Sequence, residues 1–161
     1  MTTPSDERGV PETGNAHVTV IIPCRAEYVA VGRLAILGVA NRLDYSYDEV
    51  EDIRLAVGEA CTHAVERSLS SAPAGGGEPR IWIESAISPE GLQIAVRDNV
   101  PASEGYDIPT ADLDDELGFD KQDLGALLME ILVDEVQVEQ SGAGTTVRLY
   151  KRAPQTQAAA Q

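Results

Sequence analysis

Aromatic side chains are scarce in this chain. Phe, Trp and Tyr together make up 4% of 161 residues, with a single Phe and a single Trp, so aliphatic side chains must fill the core. Cysteine is scarcer still. Cys24 and Cys61 are far apart and in no metal-ligand spacing, which argues against a disulfide framework and a thiolate zinc site. Both lie in apolar runs and read as buried free thiols, suited to a reducing compartment. No stretch is apolar for long enough to span a membrane, and the opening MTTPSDERGVPETGN has no apolar signal core. The expectation is a cytoplasmic protein with no membrane contact. Basic residues are few as well: 12 Lys and Arg stand against 27 Asp and Glu, a formal net charge of −15. Such a surface repels phosphate backbones and anionic membranes, so direct nucleic-acid binding is not expected, and a basic protein partner fits better.

What is present suits one domain. The length allows a real core, and 43% of residues are hydrophobic. Residues 1–15 read as a disordered arm and residues 153–161 as a flexible tail, leaving a folded domain over 16–152. HVTVII, His17 to Ile22, is rich in β-branched residues and stops at Pro23, which predicts a strand. From Glu27 to Arg42, Val31, Leu34, Ala35 and Leu37 recur at helical spacing. A second helix is expected from a cap at Asp48 to about Leu69, with Val50, Ile53, Val57, Cys61, Ala64 and Val65 as its buried stripe. SSAPAGGGEP predicts a flexible loop, and RIWIESAI and LQIAVRD, meeting around Pro89–Gly91, predict a hairpin. Asn99 to Asp120 is acidic and irregular. DLGALLMEILVDEV reads as a helix running into a strand, and GAGTTVRLYK as the closing strand. The order β-α-α-β-β-loop-α-β-β, with hairpins and no repeated βαβ unit, predicts an α+β fold with an antiparallel or mixed sheet and helices on one face.

The chemistry concentrates in AVGEACTHAVERS. Glu59 and His63 stand four residues apart in a helix and so share a face, beside Asp52 and Glu66. Taken alone, such a pair is most often a solvated helix face. Asp98 alone is a turn residue ending a strand, and Gly125 and Gly144 alone mark a helix start and a hairpin turn.

A resemblance changes that reading. AEYVAVGRLAILGVANRLDYSYDEVEDIRLAVGEACTHAVERS, LLMEILVDEVQVEQ and GTTVRLYK resemble the anti-sigma serine-protein kinases of bacterial stress and sporulation control. That family belongs to the ATPase superfamily of gyrase, histidine kinases and the heat-shock chaperone. The resemblance implies a two-layer α/β sandwich of the histidine-kinase-like ATPase (Bergerat) type, its sheet mixed but mostly antiparallel. It implies Glu59 as general base, Asp98 as acceptor of the adenine amino group, and Gly125, Thr145 and Thr146 at the nucleotide. It also implies ATP and Mg²⁺ as cofactors, Arg33 on the exposed side of the first helix as a partner contact, and a homodimer. The implied partners are a sigma factor and an anti-anti-sigma antagonist, which the kinase phosphorylates on Ser or Thr. Three positions depart from the family pattern. His63 stands where an asparagine would ligate Mg²⁺, Asn99–Pro101 replaces a glycine-containing turn, and Asp123 replaces the first glycine of a phosphate-binding turn, with Lys121 nearby. These departures leave a second expectation open: a kinase-inactive binding module of the same fold.

Overall fold

A computed structural model describes residues 16–101 and 121–155, without the side chains of 121–123. The expected arm over 1–15, most of the acidic irregular segment, the end of the tail, and the side chains of Lys121 and Asp123 lie outside the described residues. The elements follow the expected order: β1 (Ala16–Pro23), α1 (Val29–Ala40), α2 (Tyr47–Ser70), β2 (Arg80–Ser88), β3 (Gly91–Asp98), α3 (Lys121–Leu132), β4 (Glu135–Ser141) and β5 (Gly144–Arg152). A 3-10 turn at Ala26–Tyr28 leads into α1.

The strands form one sheet in the order β1-β2-β3-β5-β4. Every pairing among the described residues is antiparallel. Strand alternation assigns the two faces. Ile22, Ile81, Ile83, Leu92, Ile94, Val96, Val147 and Leu149 are buried on the helix side, where they meet Ile36, Val39, Val50, Ile53, Val57, Cys61 and Ala64. The core is aliphatic, as the shortage of aromatics requires. The other face carries polar rows across the strands, one of them running Thr19, Glu84, Ala95, Arg148, Gln137. Trp82 lies on that face with the Arg97 guanidinium 4.6 Å from its ring centre, a cation–π contact that covers the lone indole.

Helix α2 starts differently from expectation. Its N-cap is Ser46, whose side chain accepts from the Glu49 amide, while the Glu49 carboxylate accepts from the Ser46 amide. This capping box satisfies two otherwise orphaned donors. Asp48, expected as the cap, sits in the first turn instead, where its charge still suits the helix dipole. Ser46→Ala is expected to cost about 1 kcal/mol, read as a lower urea midpoint at unchanged m-value.

The buried face of α1 also departs from expectation. Val29, Gly32, Ile36, Val39 and Ala40 are buried, whereas Val31 and Leu34 are exposed. Arg33 is the one charged residue in this helix, so periodicity alone does not pick out its inner face.

Candidate functional site

Helix α2 sets three side chains in file. Glu59, His63 and Arg67 follow one another at steps of four, so they run along one face of the helix. Glu59 is half-buried, while His63 and Arg67 are buried. Taken alone His63 reads as part of a solvated face; in the structure α3 covers it. A Cβ added at Gly125 would overlap His63 Nε2 and come within 2.9 Å of Glu59 Oε2. Gly125 therefore lets the α3 backbone press directly on the acid–imidazole pair.

At the other end of the file, the Arg67 guanidinium meets Asp98, the last residue of β3. Arg67 Nη2 donates to Asp98 Oδ2 at 2.5 Å, and both side chains are almost wholly buried. Asp98 Oδ1 accepts from the amides of Val100 at 3.0 Å and Thr145 at 3.3 Å. Arg67 occupies the last turn of α2, where a cation suits the helix dipole. The Gly144 backbone reaches the Asp98 carbonyl so closely that a Cβ would overlap its oxygen, at a φ of +144°. That approach puts Thr145 against Asp98. Three buried polar atoms have no hydrogen-bond partner among the described residues: Arg67 Nε, Thr145 Oγ1 and Arg33 Nε. The first two belong to residues that bind the Asp98 carboxylate directly.

The structure thus brings Glu59, His63 and Gly125 together, and Asp98 and Thr145 together, with α2 linking the two groups. Two expectations need correction. Thr146 pairs with Arg97 and Glu139 on the helix-free face of the sheet, because alternation along β5 sends neighbouring side chains to opposite faces. Its side chain does not join this site. Arg33 is not on the exposed side of α1. It is half-buried, with its guanidinium over the bare Gly58 backbone of α2, in a groove of about 380 Å³ that Ala30, Thr62 and Glu66 also line. A separate dish of about 440 Å³, lined by His17, Glu84, Gln93 and Tyr150, lies on the opposite face and shares none of the site residues.

Sequence reasoning missed Arg67, although its spacing from Glu59 and His63 was a usable signal. The work of Asn99 was missed as well. Its Oδ1 accepts from the Arg80 amide at 2.8 Å, its Nδ2 donates to the Glu78 carbonyl at 3.1 Å, and its carbonyl accepts from the Ala74 amide at 2.7 Å. The loop read as flexible is therefore fastened to the end of β3, and Val100 beside it is fully buried. A glycine in place of Asn99 would lose these side-chain bonds.

Burial, with Arg67 adding to it, holds the His63 pKa below its usual 6.5, while Glu66 and Glu59 pull the other way. The folded state favours the neutral ring. Stability from this group is complete above the unfolded value near 6.5 and is lost as pH falls through the folded one. Melting temperature should therefore drop between pH 7 and pH 5, and the drop should be smaller in His63→Asn. The thiols behave as expected: both are free and buried, and burial pushes Cys61 up to about 12.

The donor set bears on which ligands fit. No group of three or more His, Cys, Asp or Glu among the described residues is arranged to hold a metal ion. Mg²⁺ prefers oxygen donors, and at the expected position His63 offers a nitrogen packed against Gly125. These residues do not fit Mg²⁺, and no step is assigned to it. At the other end, Asp98 and the unpartnered Thr145 hydroxyl lie together in a buried, polar setting. No helix among the described residues is long and apolar enough to cross a membrane.

Residues 22–151 match the histidine kinase-like ATPase domain family. Serine-protein kinase RsbW of Bacillus velezensis is 34% identical over 143 residues, covering 84% of each chain. The protein of the same name from Bacillus subtilis matches at 34% identity and the same coverage, and that of Listeria monocytogenes at 32%, over 75% of this chain and 78% of its own. Among solved structures, the RsbU and RsbW domains of a Mycobacterium tuberculosis protein match with a TM-score of 0.60 at 15% identity, over 86% of this chain. This chain spans 32% of that longer one. The histidine kinase domain of a blue-light activated kinase from Erythrobacter litoralis matches with a TM-score of 0.52 at 22% identity, over 82% of this chain and 62% of its own. These two likenesses concern the fold alone.

Proposed function

Because this chain belongs to the histidine kinase-like ATPase domain family, on the branch of the RsbW serine-protein kinases, we propose that it is an anti-sigma regulatory factor controlled by partner switching. It holds a sigma factor away from RNA polymerase. An anti-anti-sigma antagonist competes for the same surface, and ATP-dependent phosphorylation of the antagonist on Ser or Thr ends that competition. The observation that carries this reading is the file of Glu59, His63 and Arg67 along α2, closed at one end by Gly125 and at the other by Asp98 and Thr145. It supports a pocket with a proton acceptor at one end and a base-reading end about two helical turns away.

In this reading Glu59 accepts the proton of the antagonist's hydroxyl as phosphate is transferred. Its position beside the start of α3 suits that role, because general-base catalysis needs a carboxylate within hydrogen-bond reach of the reacting hydroxyl. Arg33 anchors the protein partner. Its groove between α1 and α2, with an unpartnered buried Nε, supports a contact at which a partner supplies the missing acceptor. Exposed Val18 on the edge strand β1, with Val31 and Leu34 on α1, supports a second copy packed at that end of the molecule.

The test combines two assays. The purified protein is added to transcription reactions driven by each alternative sigma factor of the source organism, and phosphate transfer to the matching antagonist is measured in parallel. Wild type is expected to block one sigma factor and to phosphorylate its antagonist. Glu59→Ala should block equally well while phosphorylation falls by at least about 100-fold. Inhibition of no sigma factor sinks the reading. Inhibition without phosphate transfer by wild type leaves the kinase-inactive module.

A further inference from the structure

Helix α3 is apolar on both sides. Ala126 and Met129, with Val133 just beyond the helix, are buried on its inner side. Its outer side carries Leu124, Leu127, Leu128 and Ile131, at the steps of three and four that make one stripe. Leu124 is 49% exposed, Leu128 37% and Ile131 69%. Glu130 is the only charged residue from Leu124 to Leu132. A helix that is apolar all round belongs in an interior, yet this one turns a row of large side chains to solvent. Two anchors lay it along α2. Gly125 lies against Glu59 and His63, and the Leu132 carbonyl accepts from Lys151 Nζ, which also pairs with Asp52. The two helices therefore run antiparallel, and the exposed Leu55 falls on the stretch of α2 between these anchors. Carboxylates border the apolar surface. Glu130 and Asp134 are exposed towards one end and Glu59 is half-buried at the other, and none of the three has a salt-bridge partner among the described residues.

We propose that the outer face of α3, extended by Leu55, is a docking surface for an amphipathic helix of a protein partner that carries Lys or Arg beside its apolar side. The apolar side of such a helix packs on Leu124, Leu128 and Ile131 by the same spacing rules that join helices within a domain. Its basic flanks meet Glu130, Asp134 and Glu59. A second copy of this chain suits the surface poorly, because it brings a further net charge of −15 and the same bordering carboxylates. The surface shares no residue with the groove of Arg33, and the inference does not depend on what the pocket binds.

The probe is a fluorescent amphipathic peptide of about 18 Leu and Lys residues, paired with a control in which Glu replaces Lys. Anisotropy titration with the full chain measures both. The Lys peptide is expected to bind at least about tenfold more tightly than the Glu peptide. Leu128→Gln combined with Ile131→Gln should weaken the Lys peptide at least about tenfold while leaving the melting temperature unchanged, since both side chains already face solvent. Glu130→Gln should weaken it about two- to threefold, and less at high salt. Equal binding of the two peptides, or equal binding of the Lys peptide to wild type and the double variant, overturns the proposal. A lower melting temperature in the double variant would mean that this chain covers the stripe itself. Loss of a wild-type dimer in that variant, by gel filtration, would mean that a second copy does. Either result also overturns the proposal.

Discussion

Asp98→Ala is expected to lower stability by about 3–5 kcal/mol, a large part of the roughly 5–15 kcal/mol that holds a domain of this size together. The loss comes less from the missing attraction than from what remains. Arg67 would keep its charge at 6% side-chain exposure with no carboxylate beside it, and the amides of Val100 and Thr145 would lose their acceptor. Arg67→Met combined with Asp98→Asn should recover much of the loss. It removes the buried cation, and the asparagine oxygen still accepts from both amides. Urea unfolding of wild type, the single variant and the double variant measures the difference. A single variant within 1 kcal/mol of wild type would mean that the guanidinium is not buried against the carboxylate as described.

Gly144→Ala is expected to cost at least about 3 kcal/mol, combining an unfavourable backbone conformation with an overlap that has no easy relief. The new Cβ would overlap the Asp98 carbonyl oxygen and lie 2.8 Å from its carbonyl carbon and 3.1 Å from Asn99 Cα. These are backbone atoms at the end of β3, so no side chain can rotate out of the way. Gly142→Ala, two residues earlier in the same turn, has nothing within 4 Å of its added Cβ and should stay within about 0.5 kcal/mol of wild type. Equal midpoints for the two variants would rule out the close approach of β5 to β3.

The fold was legible where one element's pattern sufficed. The strand at His17–Ile22, the hairpin at Pro89–Gly91 and the long second helix carry their signals locally, in β-branched runs, turn residues and steps of three and four. Within those elements, some missed detail was also present. Ser46 and Glu49 spell a capping box, but Asp48 is an equally good cap residue by type. The inward positions Val147 and Leu149 imply that Thr145 points in and Thr146 out. Helix α1 was read in the wrong phase for a different reason: its apolar residues surround the axis, so neighbours rather than sequence decide which are covered. The site was legible mainly through resemblance. Glu59 lies with Gly125, and Asp98 with Thr145, in two groups that α2 links. The Arg67–Asp98 pair joins residues 31 positions apart, and no local pattern announces such a partner.

Asp98 also has a meaning in the order of synthesis. Its carboxylate joins a residue 31 positions before it and another 47 positions after it. Translation delivers domains from the N-terminus at about 5–20 residues per second, so α2 and β3 exist for several seconds before Thr145 emerges. During that interval the nascent chain has a helix bearing Glu59, His63 and Arg67, but Asp98 still lacks the Thr145 amide. The Asp98 carboxylate therefore gains its full set of partners only when the last strand has been made.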